Sequence, residues 1–115
     1  MSFSPPKPGQ LVRGSRSGKP IMALFDLLGR SWSLGILWQL SDKPLTFREL
    51  QNRCENVSPT VLNRRLKELR ASLLVDHGSQ GYGLTELGQE LFSLLEPFGR
   101  WSINWADRFK QDGSN

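Results

Sequence analysis

Four side chains along NVSPTVLNRRLKELRAS, residues 56–72, have the chemistry to grip or read a polyanion: Thr60, Asn63, Arg64 and Lys67. An asparagine amide pairs bidentately with adenine, and an arginine guanidinium does the same with guanine. A lysine holds phosphate as a point charge, and a threonine hydroxyl serves either target. At about 100° per residue, Thr60, Arg64, Lys67 and Ala71 fall on one side of a helix, with Asn63 on the shoulder. Leu62, Leu66, Leu69 and Leu73 form the opposite stripe. The leucines predict the buried face, which leaves the polar face free for a major groove about 12 Å wide. Ser58 is placed to cap this helix, Pro59 suits its first turn, and Val57 with Leu62 forms a hydrophobic staple. Ser58 and the free N–H groups beside it also make a seat for phosphate. Thr46 and Arg48, at the start of the preceding helix, are further candidates for backbone contact, whereas Arg65 lies toward the core and is assigned to a salt bridge.

Other chemistries lack their residues. The chain has one cysteine, Cys54, and one histidine, His77, so it can form neither an internal disulfide nor a His–Cys metal cluster. It has no nucleophile elbow, GxxxxGK[ST] loop or GxGxxG loop. No catalytic residue, metal or cofactor is therefore expected. Cys54 is read as a buried structural thiol, because reactivity requires exposure and a lowered pKa.

Composition is that of an ordinary globular chain, with 37% hydrophobic and 23% charged residues among 115. Residues 1–72 hold 12 Lys/Arg against 5 Asp/Glu, and residues 73–115 hold 3 against 6. This asymmetry points to an anionic partner for the first part. No apolar run approaches the roughly 20 residues of a membrane span. The opening MSFSPPKPGQLVRGSRSGKP has no apolar core of a signal peptide, so the expected location is cytoplasmic.

The elements that must position the polar face follow in order. Residues 1–19, rich in Pro, Gly and Ser with four cations, predict a flexible basic arm. PIMALFDLLG predicts a helix opened by Pro20 and closed near Gly29. SWSLGILWQLS predicts a buried helix capped by Ser31, with close packing at Gly35 and with Trp32 and Trp38 in the core. TFREL reads as a capping box between Thr46 and Glu49, flanked by Leu45 and Leu50. A break at ENV then joins two short helices, the helix-turn-helix pattern. Leu74–Val75 and Tyr82–Leu84, either side of GSQG, predict a two-stranded hairpin. The remainder, from Thr85, is helical with an interruption predicted at Pro97–Gly99.

LLGRSWSLGILWQLSDKPLTFRELQ, VSPTVLNRRLKELRASLLV and YGLTELG together resemble the HxlR family of winged helix-turn-helix regulators. The resemblance rests on Gly29–Trp32, Phe47–Leu50, Val57–Val75 and Tyr82–Gly88, and covers about residues 20–106. It implies a mainly α fold with a small β-hairpin wing, a winged helix-turn-helix DNA-binding domain over 20–110 followed by a tail at 111–115. It further implies a bacterial homodimeric transcription regulator that binds a pseudo-palindromic double-stranded operator and pairs through its first and last helices. Leu24, Phe98, Trp101, Trp105 and Phe109 are the expected dimer contacts; the competing reading of the aromatics is an intrachain core stripe.

Three features depart from the family pattern. Lys19–Pro20 stands where many members carry a redox-sensing Cys–Pro pair. The wing, DHGSQG, is short and has no Lys or Arg. Arg70 and Ala71 stand where the family is often acidic. The sequence leaves room for a small-molecule effector at the tryptophans but names none. A winged-helix adaptor whose basic face binds an acidic protein partner is the alternative function.

Overall fold

The computed structural model describes residues 18–113. The predicted basic arm therefore lies outside the described residues, apart from Gly18 and Lys19. Pro20 supplies the fixed φ that begins α1 (Pro20–Leu28), and Gly29 closes it. Ala23 and Leu27 are its buried residues.

α2 (Ser33–Gln39) starts one residue later than a Ser31 cap would set it. Ser31 is not its cap. Trp32 holds that position in the left-handed region, at φ 71°, with no side-chain hydrogen bond. That turn lays the Trp32 ring over Gly35, where an added Cβ would stand 3.4 Å from it, so the close packing expected at Gly35 is present. Ile36, Leu37 and Leu40 enter the core, while Trp38 is half out of it and meets Phe92 edge-on at 5.3 Å.

α3 (Phe47–Arg53) begins with the complete capping box: the Glu49 N–H donates to Thr46 Oγ1 at 3.2 Å, and the Thr46 N–H donates to Glu49 Oε1 at 2.9 Å. Glu55 and Asn56 then both take left-handed φ values, 56° and 58°, and turn the chain sharply. Gln51 Nε2 ties the turn down by donating to the Val57 carbonyl at 2.9 Å.

α4 (Pro59–Ala71) follows, with Ser58 Oγ accepting from the Val61 N–H at 3.2 Å. Leu62, Leu66 and Leu69 are almost completely buried. Each such burial stabilises by about 1.5–3 kcal/mol, enough to fix which face of the helix points inward. Leu73 breaks the expected stripe. It lies past the end of the helix at φ 68° and is 68% exposed, while its neighbour Leu74 turns into the core. The cause is the helix terminus: the Leu73 N–H donates to the Arg70 carbonyl and the Leu74 N–H to the Leu69 carbonyl, an arrangement that requires a left-handed residue between them.

The hairpin consists of β1 (Val75–Gly78) and β2 (Gly81–Leu84), antiparallel with His77 opposite Tyr82 and a two-residue turn at Ser79–Gln80. Leu45, just ahead of α3, adds a third rung: the Tyr82 N–H donates to Leu45 O at 2.8 Å and the Leu45 N–H to Tyr82 O at 2.9 Å. Gly81 allows this approach, since at its φ of 115° a Cβ would stand 2.4 Å from Leu45 O.

Thr85 links wing and last helix. Its hydroxyl donates to Leu73 O at 2.6 Å and accepts from the Gly88 N–H at 3.0 Å. α5 (Glu86–Gly113) then runs without the interruption predicted at Pro97–Gly99 and continues past the boundary expected at 110. A proline in a helix costs about 3 kcal/mol by deleting one hydrogen bond. The helix nevertheless continues through Pro97 over its 28 residues, and Gly99 brings it against Trp38, where a Cβ would lie 3.0 Å from the ring. Among the described residues, no single helix is long and apolar enough to cross a membrane.

Candidate nucleic-acid interface

The outer face of α4 carries the predicted set together. Thr60, Asn63 and Lys67 are exposed, and Arg64 is half-buried beside them. With Phe47 and Pro59 these four line one open cleft of about 400 Å³. Thr46, Arg48 and Ser58 are also exposed, at the starts of α3 and α4. The hydroxyls of Thr46 and Ser58 already accept a helix-capping N–H each, so toward a phosphate they can offer only their own proton. The same capping lowers the Glu49 carboxyl below its ordinary range, through the Thr46 N–H first and the Thr46 hydroxyl second.

A second groove begins where the first ends. Lys67, Arg70, Ala71 and Leu73 form one wall, and Val75, Asp76, His77 and Thr85 form the other, around about 600 Å³. Arg70 was not among the candidate contacts, although it stands one turn from Lys67. The spacing of three was the available signal; only the hairpin's position reveals that the groove continues there.

Behind this surface a charged network holds α4 in place. Glu68 is almost fully buried, and its Oε2 accepts from Arg30 Nη1 at 2.8 Å while Oε1 accepts from Arg65 Nη1 at 3.3 Å. Arg30 Nη2 also donates to Asp26 of α1 at 3.1 Å. Arg65 makes the salt bridge expected of it, and its Nε donates to the Ser31 carbonyl at 2.8 Å. The polar face thus stands on a helix pinned to the turn between α1 and α2.

The C-terminal aromatics do not form an intrachain core. Phe98, Trp101, Trp105 and Phe109 are between 52% and 66% exposed. Trp101 stacks on Trp105 at 5.9 Å, and Trp105 meets Phe109 edge-on at 5.2 Å, a continuous apolar stripe along one side of α5. On α1, Ile21 and Phe25 are exposed and Leu24 is half-buried. Cys54 is buried, as expected of a structural thiol, and burial pushes its pKa up with a smaller push from Glu55.

Residues 27–110 match the HxlR-like helix-turn-helix family. The chain belongs to that family. Among relatives of this HxlR-like chain, the transcriptional regulator YodB of Bacillus subtilis is 31% identical over 96 residues, 77% of this chain and 82% of YodB. A helix-turn-helix transcriptional regulator of Methanocaldococcus jannaschii is 28% identical over 90 residues, 75% of this chain and 85% of its own. Among solved structures, quinone-bound YodB superposes with a TM-score of 0.67 over 73% of this chain and 96% of YodB, at 31% identity. A possible HxlR family transcriptional factor of Thermoplasma volcanium has a TM-score of 0.67 at 27% identity, over 82% and 87% of the two chains. The fold is a winged helix-turn-helix, and the family is one of transcriptional regulators with a DNA-binding helix-turn-helix.

Proposed function

We propose that this HxlR-like regulator acts in the cytoplasm as a homodimer that reads a pseudo-palindromic duplex, laying α4 of each copy into the major groove. One observation carries the reading: the leucine face of α4 is buried while Thr60, Asn63, Arg64 and Lys67 share the cleft on its outer side. Asn63 and Arg64 are the base-reading pair, and Lys67 holds phosphate, with Thr46, Arg48 and Ser58 flanking on the backbone. The dimer surface is the stripe Phe98, Trp101, Trp105 and Phe109 together with Leu24 of α1. A two-fold dimer sets the two α4 helices about 34 Å apart, one turn of duplex.

Fluorescence anisotropy tests this reading. The protein is titrated with a duplex from upstream of its own gene and with a scrambled duplex, at two salt concentrations. Preference for the upstream duplex at both salts is the expected result; equal binding to both duplexes counts against sequence reading. Sedimentation of the wild type and Trp105→Ala tests the pairing surface, with the variant expected to dissociate at concentrations where the wild type is dimeric.

A wing without Lys or Arg favours a second reading, an adaptor for an acidic protein partner. Absence of duplex binding even at low salt would select it. A small-molecule effector is supported by the quinone held in YodB, although Lys19–Pro20 excludes a cysteine at the position implied by the family resemblance.

A further inference from the structure

The wing holds one group able to become cationic. His77, the sole histidine of the chain, lies on β1 with its ring flat against Tyr82, centroids 4.0 Å apart and planes within 2°. It is exposed and borders the same groove as Lys67 and Arg70. A phosphate backbone seated on those two cations therefore passes the imidazole. Neutral imidazole brings that backbone no charge; imidazolium brings a full positive charge and two N–H donors. An imidazole changes charge between about pH 5 and 8.

We propose that His77 is a proton-gated phosphate contact, engaging the duplex backbone when protonated and releasing it when neutral. The proposal rests on the DNA-reading function above. Charged and aromatic groups surround His77. Lys67 and Arg70 of α4 share the groove with it. The Tyr82 face attracts the imidazolium from β2. Asp76 precedes it on β1 and borders the same groove, with a carboxylate oxygen close to Gly83. A bound phosphate adds its own counter-charge to the groove, so duplex binding and proton uptake reinforce each other. Lys67 and Arg70 bind at every pH, so the histidine adds to a site that already exists.

The test uses the full chain and the upstream duplex in anisotropy titrations over a salt series, near pH 5.5 and pH 8, with wild type, His77→Gln and His77→Lys. Circular dichroism at both pH values verifies that each variant is folded, as a substitution at an exposed strand position should be. In the wild type, affinity should be several-fold higher at the lower pH, with a salt slope steeper by about 0.9, one extra phosphate contact. His77→Gln should keep the shallow slope at both pH values, and His77→Lys the steep slope at both. A pH effect of unchanged size in His77→Gln, or none in the wild type, overturns the proposal and leaves DNA reading standing. No binding at either pH overturns both.

Discussion

Glu68 on α4 accepts a 2.8 Å hydrogen bond from Arg30, 38 residues earlier, with the carboxylate almost wholly removed from water. Arg65 shares the same carboxylate, so removing it strands two guanidiniums at the seam between α4 and the α1–α2 turn. Breaking a buried pair costs about 3–5 kcal/mol. Both arginines retain some contact with water, which places Glu68→Ala near the lower end, at about 3 kcal/mol. Urea unfolding of variant and wild type measures this; a loss under about 1 kcal/mol would mean that the network contributes no more than an exposed ion pair.

Arg64 and Lys67 should fail differently. Arg64→Ala should cost roughly 1–3 kcal/mol of operator affinity and relax preference at one base position. Lys67→Ala should weaken all duplexes alike and reduce the salt slope by about one. Titrations with single-base operator variants separate the two, and an unchanged slope in Lys67→Ala removes its phosphate role.

The capping box predicts an acid dependence. In the folded chain the Thr46 N–H holds the Glu49 carboxyl below its ordinary value of 4.5. Stability from this contact is therefore complete above the ordinary value and fades as pH falls through the lowered one. Wild type should lose more thermal stability across that acidic window than Glu49→Gln, read as Tm against pH. Parallel curves would show that the carboxylate charge adds nothing.

Cys54 should behave as a core atom. Burial and Glu55 both push its thiol above the ordinary range, which disfavours thiolate. Alkylation by iodoacetamide at neutral pH should be slow in the native protein and rapid in urea. Fast native modification would contradict the buried placement.

What the sequence made legible was local. The Thr46–Glu49 box, the Ser58–Pro59 start and the burial of Leu62, Leu66 and Leu69 each depend on spacings within one or two turns. The errors lie where tertiary structure or chain continuity decides. Ser31 has the chemistry of a cap, yet its carbonyl and hydroxyl both accept from Arg65, 34 residues away. Leu73 fits a heptad-like stripe, but the end of α4 turns it outward in favour of Leu74. Pro97 signals a break that a long helix absorbs. The polar face of α4 was readable because a helix fixes its own face; the groove continuing through Arg70 to His77 was not, since it exists only once the hairpin packs beside α4.

The paired hydrogen bonds between Leu45 and Tyr82 divide the wing into parts that can be inherited separately. Below the bonds, the hairpin is fastened to the backbone that launches α3, and its geometry is common property with the helix-turn-helix. Above them only Gly78, Ser79, Gln80 and Gly81 remain, facing solvent or the rim. Residues inserted between the two glycines would extend the tip at an entropic cost of about 0.6 kcal/mol per doubling of loop length. The anchored base would stay where it is. Wing length and tip charge are therefore free to vary on one anchored base, and a long basic tip can be exchanged for a short uncharged one without redesigning the domain.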